Sequence, residues 1–491
     1  MKKTIFASNI KSDGIGDFAH LLDLLRNKAC LKSNSPDSPD SIAIVFLVYD
    51  ITHEQRLDLW KEQLKKLGVT EFYFYCSLGP SLDALIKKDL DTLGTSLDYI
   101  IEISADTPSL KHHSPVPYLF IKEHYVSQHP VLSDPQEKPE NQEYYMALGE
   151  QAYGRSTHSI FISSENRSNP AQQLATMLNK TANSEIKKTL LDTDSVISPD
   201  IAENFLNKNL FIPCYFQHNE FGFVHAINTV VESSLSSTFK SIVFYINSAD
   251  TKLLKSMVDK SYLNPKIDSI LVKTKTGTEK FQLNPKADLL ITIIMGFKIN
   301  SDEDYDVLFH VAPYFAGCSG DKTFEKTIAN GLIPLFTPHF PHKTGFIRNL
   351  SAFNHLFSFI EKFAFLNLWL ELPSIIRKSG LRNLEYLKKE DFKALELIYT
   401  KNITLLSLSS TLTAELQEFA RNKYFEALRA LGSELNETFF KEWLELCSLI
   451  KSKYNLHTQL PLIFKDFLNN VALLKASSEN IDAKEKTKFK F

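Results

Sequence analysis

Thr4-Ile5-Phe6-Ala7-Ser8-Asn9-Ile10, running on into Lys11-Ser12-Asp13-Gly14-Ile15-Gly16-Asp17-Phe18-Ala19-His20, is the stretch that decides the fold. A short apolar run passes through two glycines into a segment with helical spacing of apolar residues, Asp17–Lys28. That is the strand–turn–helix opening of a parallel α/β sheet. Gly14 and Gly16 allow backbone angles and close approaches that side chains forbid. The start of the helix presents free N–H groups that favour an anion.

The same alternation continues outward. Ile42–Tyr49, Glu71–Ser77, Tyr99–Ser104 and Ser159–Ser163 read as strands, and Thr52–Leu67 and Ser81–Leu93 as helices. Residues 32–41 and 130–141 read as polar, proline-bearing loops. Residues 183–209 are polar and mixed, and are expected to form an interdomain hinge. A second alternation then begins. Its expected strands are Leu210–Phe216, Ser241–Ile246, Ser269–Lys273, Leu289–Met295, Tyr314–Cys318 and Leu332–Thr337, and its helices Gly222–Ser234, Asp304–His310 and Thr323–Asn330. Beyond about residue 345 the pattern turns helical, with brief strand-like runs such as Ile403–Leu408. The expected architecture is therefore α/β: two Rossmann-like doubly wound domains, 1–205 and 206–345, facing across a cleft, with a C-terminal helical extension, 346–491.

Composition narrows the function. The chain has 491 residues, 43% hydrophobic and 23% charged, which fits a soluble globular protein and excludes a largely disordered or collagen-like one. Lys+Arg 55 against Asp+Glu 58 leaves a net charge of −3, so no nucleic-acid partner is expected. Cys30, Cys76, Cys214, Cys318 and Cys447 lie far apart, without a CxxC or Cys/His cluster, which argues against a structural zinc site and a disulfide framework. Asn9, Lys11 and Asp13 interrupt any signal-peptide apolar core, and no apolar run is long enough to cross a membrane. Phe363–Leu370 is bracketed by Glu361, Lys362 and Glu371 and reads as a buried helix. A cytoplasmic protein is the expectation.

Two turns could carry chemistry. At the first, Gly14-x-Gly16-x-x-Ala19 matches a dinucleotide fingerprint, with Asp50 after the second strand as the ribose acid. Asp13 and Asp17, however, put carboxylates around that pyrophosphate pocket. In the competing reading those carboxylates are themselves functional, one acting as general base and the other orienting it. Either can also serve as a helix N-cap. The second turn is Gly317-Cys318-Ser319-Gly320-Asp321-Lys322-Thr323-Phe324-Glu325-Lys326, ending at Asn330-Gly331. Ser319, Gly320 and Thr323 could cradle phosphate oxygens, and Lys322 or Lys326 could stabilise a departing diphosphate. An ordinary capped strand–loop–helix is the plainer alternative. Phe216, Gln217 and Phe221 follow the first strand of the second domain, where an aromatic could stack on a base or sit in the core. His339 and His342, the pair His112-His113, and the D-x-D spacings at Asp192/Asp194 and Asp302/Asp304/Asp306 are weaker candidates.

Taken together, the two turns resemble those of a GT-B glycosyltransferase. Gly14-Ile15-Gly16-Asp17-Phe18-Ala19-His20 resembles the G-x-G-D-x-x-H turn of the heptosyltransferase branch. The Asp13-to-Asp17 spacing, Tyr305–Phe309, Gly320–Phe324 and Gly331 resemble the protein-arginine rhamnosyltransferases that act on elongation factor P. The resemblance implies a GT-B-like fold whose second domain holds a nucleotide-sugar and whose first offers the acceptor and, in inverting members, a catalytic Asp. It points to Asp17 first and Asp13 second as general base. It assigns Ser319, Gly320, Asp321, Lys322 and Thr323 to the diphosphate, Glu325 to the ribose, and Phe216 and Gln217 to the base. No metal and no cofactor beyond the nucleotide-sugar are implied, and the large extension points to a protein side chain as the acceptor. The rivals are a nicotinamide-dependent oxidoreductase using Gly14, Gly16, Ala19 and Asp50, an inactive GT-B-like scaffold, and a nucleotide-sugar epimerase.

Overall fold

The structure is a computed structural model. It describes residues 3–10, 16–26, 28, 42–79, 81–104, 110, 116–122, 169–216, 220–246, 263–297, 299, 301–337, 347, 350–351, 354–364, 366, 410–453 and parts of 461–472. The chain forms two compact units: residues 1–163 together with 450–491, and residues 164–449.

In the first unit the elements are β1 (Lys3–Ile10), α1 (Gly16–Arg26), β2 (Ile42–Tyr49), α2 (Leu57–Lys66), β3 (Glu71–Cys76), α3 (Leu82–Leu93), β4 (Leu97–Ser104) and β5 (Tyr118–Lys122). The strands lie in the order β3-β2-β1-β4-β5, every pair parallel. They read as unbroken apolar runs because both faces of a parallel sheet are covered. Phe6, Val45, Leu47 and Ile101 pack with Phe18, Leu21, Trp60 and Leu64 of α1 and α2. Ile5, Ile44, Phe46 and Ile100 pack with Ile86 and Leu90 of α3. The chain steps from β1 out to β3, then crosses to the other side of β1 for β4. Right-handed crossovers send α3 to the opposite face when the direction reverses. The carboxyl ends of β1 and β4 therefore flank a topological switch point, the place where ligands bind in open α/β sheets.

In the second unit α4 (Pro170–Leu178), α5 (Ser184–Leu191) and α6 (Pro199–Lys208) precede the sheet. The expected hinge at 183–209 is thus mostly helical. Asn169 and Ser198 cap α4 and α6, each followed by a proline suited to the first helical turn. Ile186, Leu190 and Ala202 are buried in the core that includes Phe211 and Val243. Asn183 donates to Asp304 Oδ2 at 2.9 Å, and Lys180 pairs with the same carboxylate. Segment 170–208 therefore belongs with the second sheet, and the division lies near residue 163 rather than 205.

That sheet comprises β6 (Asn209–Tyr215), β7 (Ser241–Ile246), β8 (Ile267–Thr274), β9 (Gly277–Gln282), β10 (Leu289–Met295), β11 (Phe315–Cys318) and β12 (Ile333–Phe336). Its order is β12-β11-β6-β7-β10-β8-β9, parallel except for the β8–β9 hairpin. The connecting helices are α7 (Glu220–Glu232), α8 (Asp302–Val311) and α9 (Asp321–Ala329). Tyr305, Leu308 and Phe309 of α8 join the Phe211/Val243 face, and Phe223 of α7 meets Phe244 edge-on at 5.5 Å on the other. Both units are Rossmann-like doubly wound sheets, as expected. Expected and observed ends agree to within a few residues, except that the expected helix Thr52–Leu67 divides into a 3-10 stretch, Ile51–Arg56, and α2. β5, β9, α4, α5 and α6 have no counterpart among the expected elements. Ser159–Ser163 and Ile403–Leu408 lie outside the described residues.

The helical extension divides between the units. Helices α10 (Ser410–Glu434) and α11 (Glu437–Lys453) begin in the second unit, α10 against α7. There Gly432 lets the two backbones approach: a Cβ on it would lie 2.4 Å from Glu232 Cβ. Trp443 Nε1 donates to Leu332 O at 2.9 Å. Phe464 and Phe467 sit instead in the core of the first unit.

A buried polar network pins α10 to α7. His225 Nε2 lies 2.8 Å from Phe363 O, which can only accept, so Nε2 carries the proton and Nδ1 accepts from Tyr424 OH at 3.0 Å. Asn228 Nδ2 donates to the same hydroxyl at 3.1 Å. Burial pulls the His225 pKa from 6.5 down to about 3. A depressed histidine contributes stability above its unfolded pKa and loses it as pH falls from 6.5 toward 3. The second unit is expected to lose on the order of 1.4 kcal/mol per pH unit in that window. Urea titrations between pH 7.5 and 5 should show this slope in the wild type and a flatter one in His225→Gln.

Candidate active site

Strand β6 opens the second sheet, with β7, β10 and β8 to one side and β11 and β12 to the other. The switch point of this unit therefore lies between β6 and β11, and α9 rises from it. Gly317 pairs with Cys214 and Cys318 with Tyr215. Ser319 Oγ donates to Tyr215 O at 3.2 Å, stitching the two strand ends together. Gly317 is required here by contact rather than by backbone angle. A Cβ would fall 2.3 Å from Phe216 Cζ and 2.8 Å from Cys214 Sγ.

Gly320 is the N-cap of α9, with extended φ −107° and ψ 158°, and as a glycine it offers no side-chain cap. The first intrahelical bond runs from Phe324 N to Gly320 O at 3.0 Å. The N–H groups of the first turn precede that bond and lie at the carboxyl edge of the sheet, the standard setting for a bound anion. Thr323 is buried in that first turn. Asp321 and Lys322 are its first two residues.

Phe216, Glu325 and Lys326, expected at the donor site, are enclosed or paired. Phe216 is 4% exposed, its ring lying over Gly317 and 5.5 Å from Phe223. It forms the wall beneath the turn rather than an open platform for a base. Glu325 is 0% exposed. Lys326 is committed to α8, with its Nζ 2.6 Å from Asp306 Oδ1 and 5.1 Å from the centre of the Tyr305 ring. Gln217, His339 and His342 lie outside the described residues.

Two residues outside the expected site also stand at the switch point. The half-buried Tyr215 ring approaches within 3.8 Å of the Cβ position of Gly320, bordering the α9 N-terminus. Thr337, just past β12, donates its N–H to Cys318 O at 2.9 Å. Each stood at the end of an expected strand. Only the strand order shows that these ends meet at the switch point.

In the first unit α1 starts at Gly16, with Asp17 its second residue, between the carboxyl ends of β1 and β4. Asp13, Gly14 and the His112-His113 pair lie outside the described residues. His20 is buried, and Phe18 stacks on Trp60 at 4.5 Å. Asn9, at the end of β1, is 6% exposed, and its Oδ1 makes no hydrogen bond. Glu102 in β4 accepts from Leu110 N at 3.0 Å and Tyr118 OH at 2.6 Å, fixing β5 beside it. Asp50, the ribose acid of the dinucleotide reading, instead accepts from Thr52 N at 3.0 Å as a helix cap. That backbone bond holds its carboxyl below the ordinary range.

Four of the D-x-D aspartates form ion pairs: Asp192 with Lys273, Asp194 with Lys188, Asp304 with Lys180 and Asp306 with Lys326. Among the described residues no cluster of His, Cys, Asp or Glu could hold a metal ion, and no helix is long and apolar enough to cross a membrane.

No protein-family model and no curated sequence matches this chain. Among solved structures, a putative UDP-N-acetylglucosamine 2-epimerase from Listeria monocytogenes is 10% identical, covering 71% of this chain and 82% of its own, at a TM-score of 0.37. An S. aureus MnaA–UDP co-structure is 12% identical over 68% of this chain and 79% of its own, at a TM-score of 0.32. The N-terminal domain of Candida albicans trehalose-6-phosphate phosphatase is 9% identical over 91% and 97%, at a TM-score of 0.35. Likenesses this distant carry no argument, and the fold rests on the strand order alone.

Proposed function

We propose that this chain is a nucleotide-sugar-dependent glycosyltransferase that works without a metal ion and inverts the anomeric centre. The observation that carries the proposal is the glycine-capped N-terminus of α9, rising from β11 beside β6 at the switch point of the second sheet. Its N–H groups and Lys322 suit a diphosphate, Ser319 shapes the turn through its bond to Tyr215 O, and the Tyr215 ring lies at its border. In the reaction the acceptor's nucleophile forms a bond to the anomeric carbon while the bond to the diphosphate oxygen breaks. The nucleophile's proton passes to Asp17, with Asp13 as its alternate. The charge that develops on the departing nucleoside diphosphate is stabilised by the α9 N–H groups and Lys322, donors already oriented before the bond breaks. A protein side chain is the proposed acceptor, and the cytoplasm the proposed location.

The test is a panel of UDP-, GDP- and dTDP-sugars assayed for binding and slow hydrolysis. At least one should bind and release its sugar, and Lys322→Ala should weaken that binding by about 10-fold, the loss expected for a charge-assisted contact. Nicotinamide dinucleotide binding with no response to any nucleotide-sugar would favour the dehydrogenase reading instead.

A further inference from the structure

The two sheets have four edges, and three of them are blunted. In the first sheet β5 is buried from Tyr118 to Ile121. In the second, β9 is an exposed strand with Glu279 and Lys280 at its middle, and β12 is four residues long with Pro334 among them. Burial, charge, brevity and proline are the devices that keep a sheet edge from pairing. β3 uses none of them. Its six residues, Glu71-Phe72-Tyr73-Phe74-Tyr75-Cys76, include four aromatics and a single charge, at the first position, and all but Tyr75 are half-buried. Among the described residues β3 pairs with β2 alone. The backbone fixes which groups look outward. Ser77 N donates to Tyr49 O at 2.8 Å, so Ser77 faces β2. Alternate residues share that direction, so Glu71, Tyr73 and Tyr75 also turn their backbone polar groups to β2, while Phe72, Phe74 and Cys76 turn theirs to the open edge.

We propose that β3 pairs with β3 of a second copy of this chain, antiparallel about a two-fold axis at Phe74, joining two five-stranded sheets into one. The outward groups select the register. With Phe74 opposite its own copy, Phe72 meets Cys76, and every outward residue faces another. Moving the axis one residue either way leaves Phe72 or Cys76 facing a residue beyond the strand. The same register sets Phe74 on Phe74 and Tyr73 on Tyr75, aromatic pairs that stabilise antiparallel strands. It also keeps like charges apart. Glu71 falls opposite Ser77 and is already held by Lys3 at 2.9 Å. Lys61, 5.9 Å from the centre of the Phe74 ring, is paired with Asp58 at 3.2 Å. Leu78, 71% exposed just past the strand, comes level with the start of the partner strand and is covered there. An unrelated strand would have to match this pattern, whereas a second copy matches it by symmetry.

The test is sedimentation velocity of the full-length protein from about 1 to 100 µM, a range that covers interfaces of modest affinity. The wild type should pass from the chain mass toward twice that mass. Phe74→Lys sets two lysines against each other at the axis and should weaken association at least about 10-fold, with its melting curve showing that the fold is kept. Phe74→Cys reads the register independently. Facing Cα atoms in a hydrogen-bonded antiparallel pair lie about 5.5 Å apart, within disulfide reach. Oxidised glutathione should therefore link this variant into a covalent dimer. Thr70→Cys, whose two copies stay apart in this register, should remain unlinked, as should the wild type, which carries Cys76. A wild type that stays monomeric across the whole concentration range would overturn the proposal. So would a dimer that Phe74→Lys leaves folded and undiminished, or one in which Phe74→Cys fails to link or Thr70→Cys links as readily.

Discussion

Asp17→Asn is expected to cut sugar release from the preferred donor by about 10²–10⁴-fold, the range a positioned general base contributes, and to leave nucleoside diphosphate affinity unchanged. The two readouts separate because the diphosphate is assigned to α9 in the second sheet, whereas Asp17 is the second residue of α1 in the first. Asparagine keeps the size of aspartate and its ability to accept a bond at a helix start, so α1 should form as before. What asparagine lacks is the capacity to take a proton. Slow hydrolysis of the donor needs no acceptor, because water then takes the acceptor's place. Asp13→Asn run in parallel assigns the base: the variant with the larger loss carries it. If both variants hydrolyse donor at the wild-type rate, neither carboxylate is the base.

Gly317→Ala is expected to damage the second unit, lowering its melting temperature by at least about 4 °C and weakening diphosphate binding together with it. The added Cβ would lie 2.3 Å from Phe216 Cζ, 2.7 Å from Cε2 and 2.8 Å from Cys214 Sγ. The Phe216 ring cannot simply swing away, because Phe223 backs it at 5.5 Å and Phe244 backs Phe223 at the same distance. The strain therefore falls on the β11–β6 pairing, where Gly317 meets Cys214. That pairing sets the switch point and the departure of α9. Trimming the obstacle in Gly317→Ala/Phe216→Leu should recover part of the lost stability. A single variant as stable as the wild type would show that the ring has room the packing does not suggest.

The sheets were legible because parallel strands buried on both faces leave long apolar runs. Ile42–Tyr49, Ser241–Ile246 and Leu289–Met295 appear with the ends expected for them. Helices α5 and α6 were read as a hinge because their outer faces are polar, and only a few residues, such as Ile186 and Ala202, face the core. The strand–turn–helix at Ser319–Thr323 was legible from small and hydroxylic residues next to a helix. The fates of Phe216 and Lys326 were not, since burial over Gly317 and the ion pair with Asp306 depend on strand order and helix neighbours. Tyr215 and Thr337 were hidden for the same reason. Each is an ordinary strand-end residue until β6, β11 and β12 are seen side by side.

The most direct test of the central claim is amide hydrogen exchange of the full-length protein with and without a saturating nucleoside diphosphate. The account predicts slower exchange confined to the first turn of α9, residues 320–323, and to the neighbouring strand ends at 215–216 and 337. Protection centred on residues 11–20 with α9 unchanged, or no protection anywhere under saturating ligand, would contradict it.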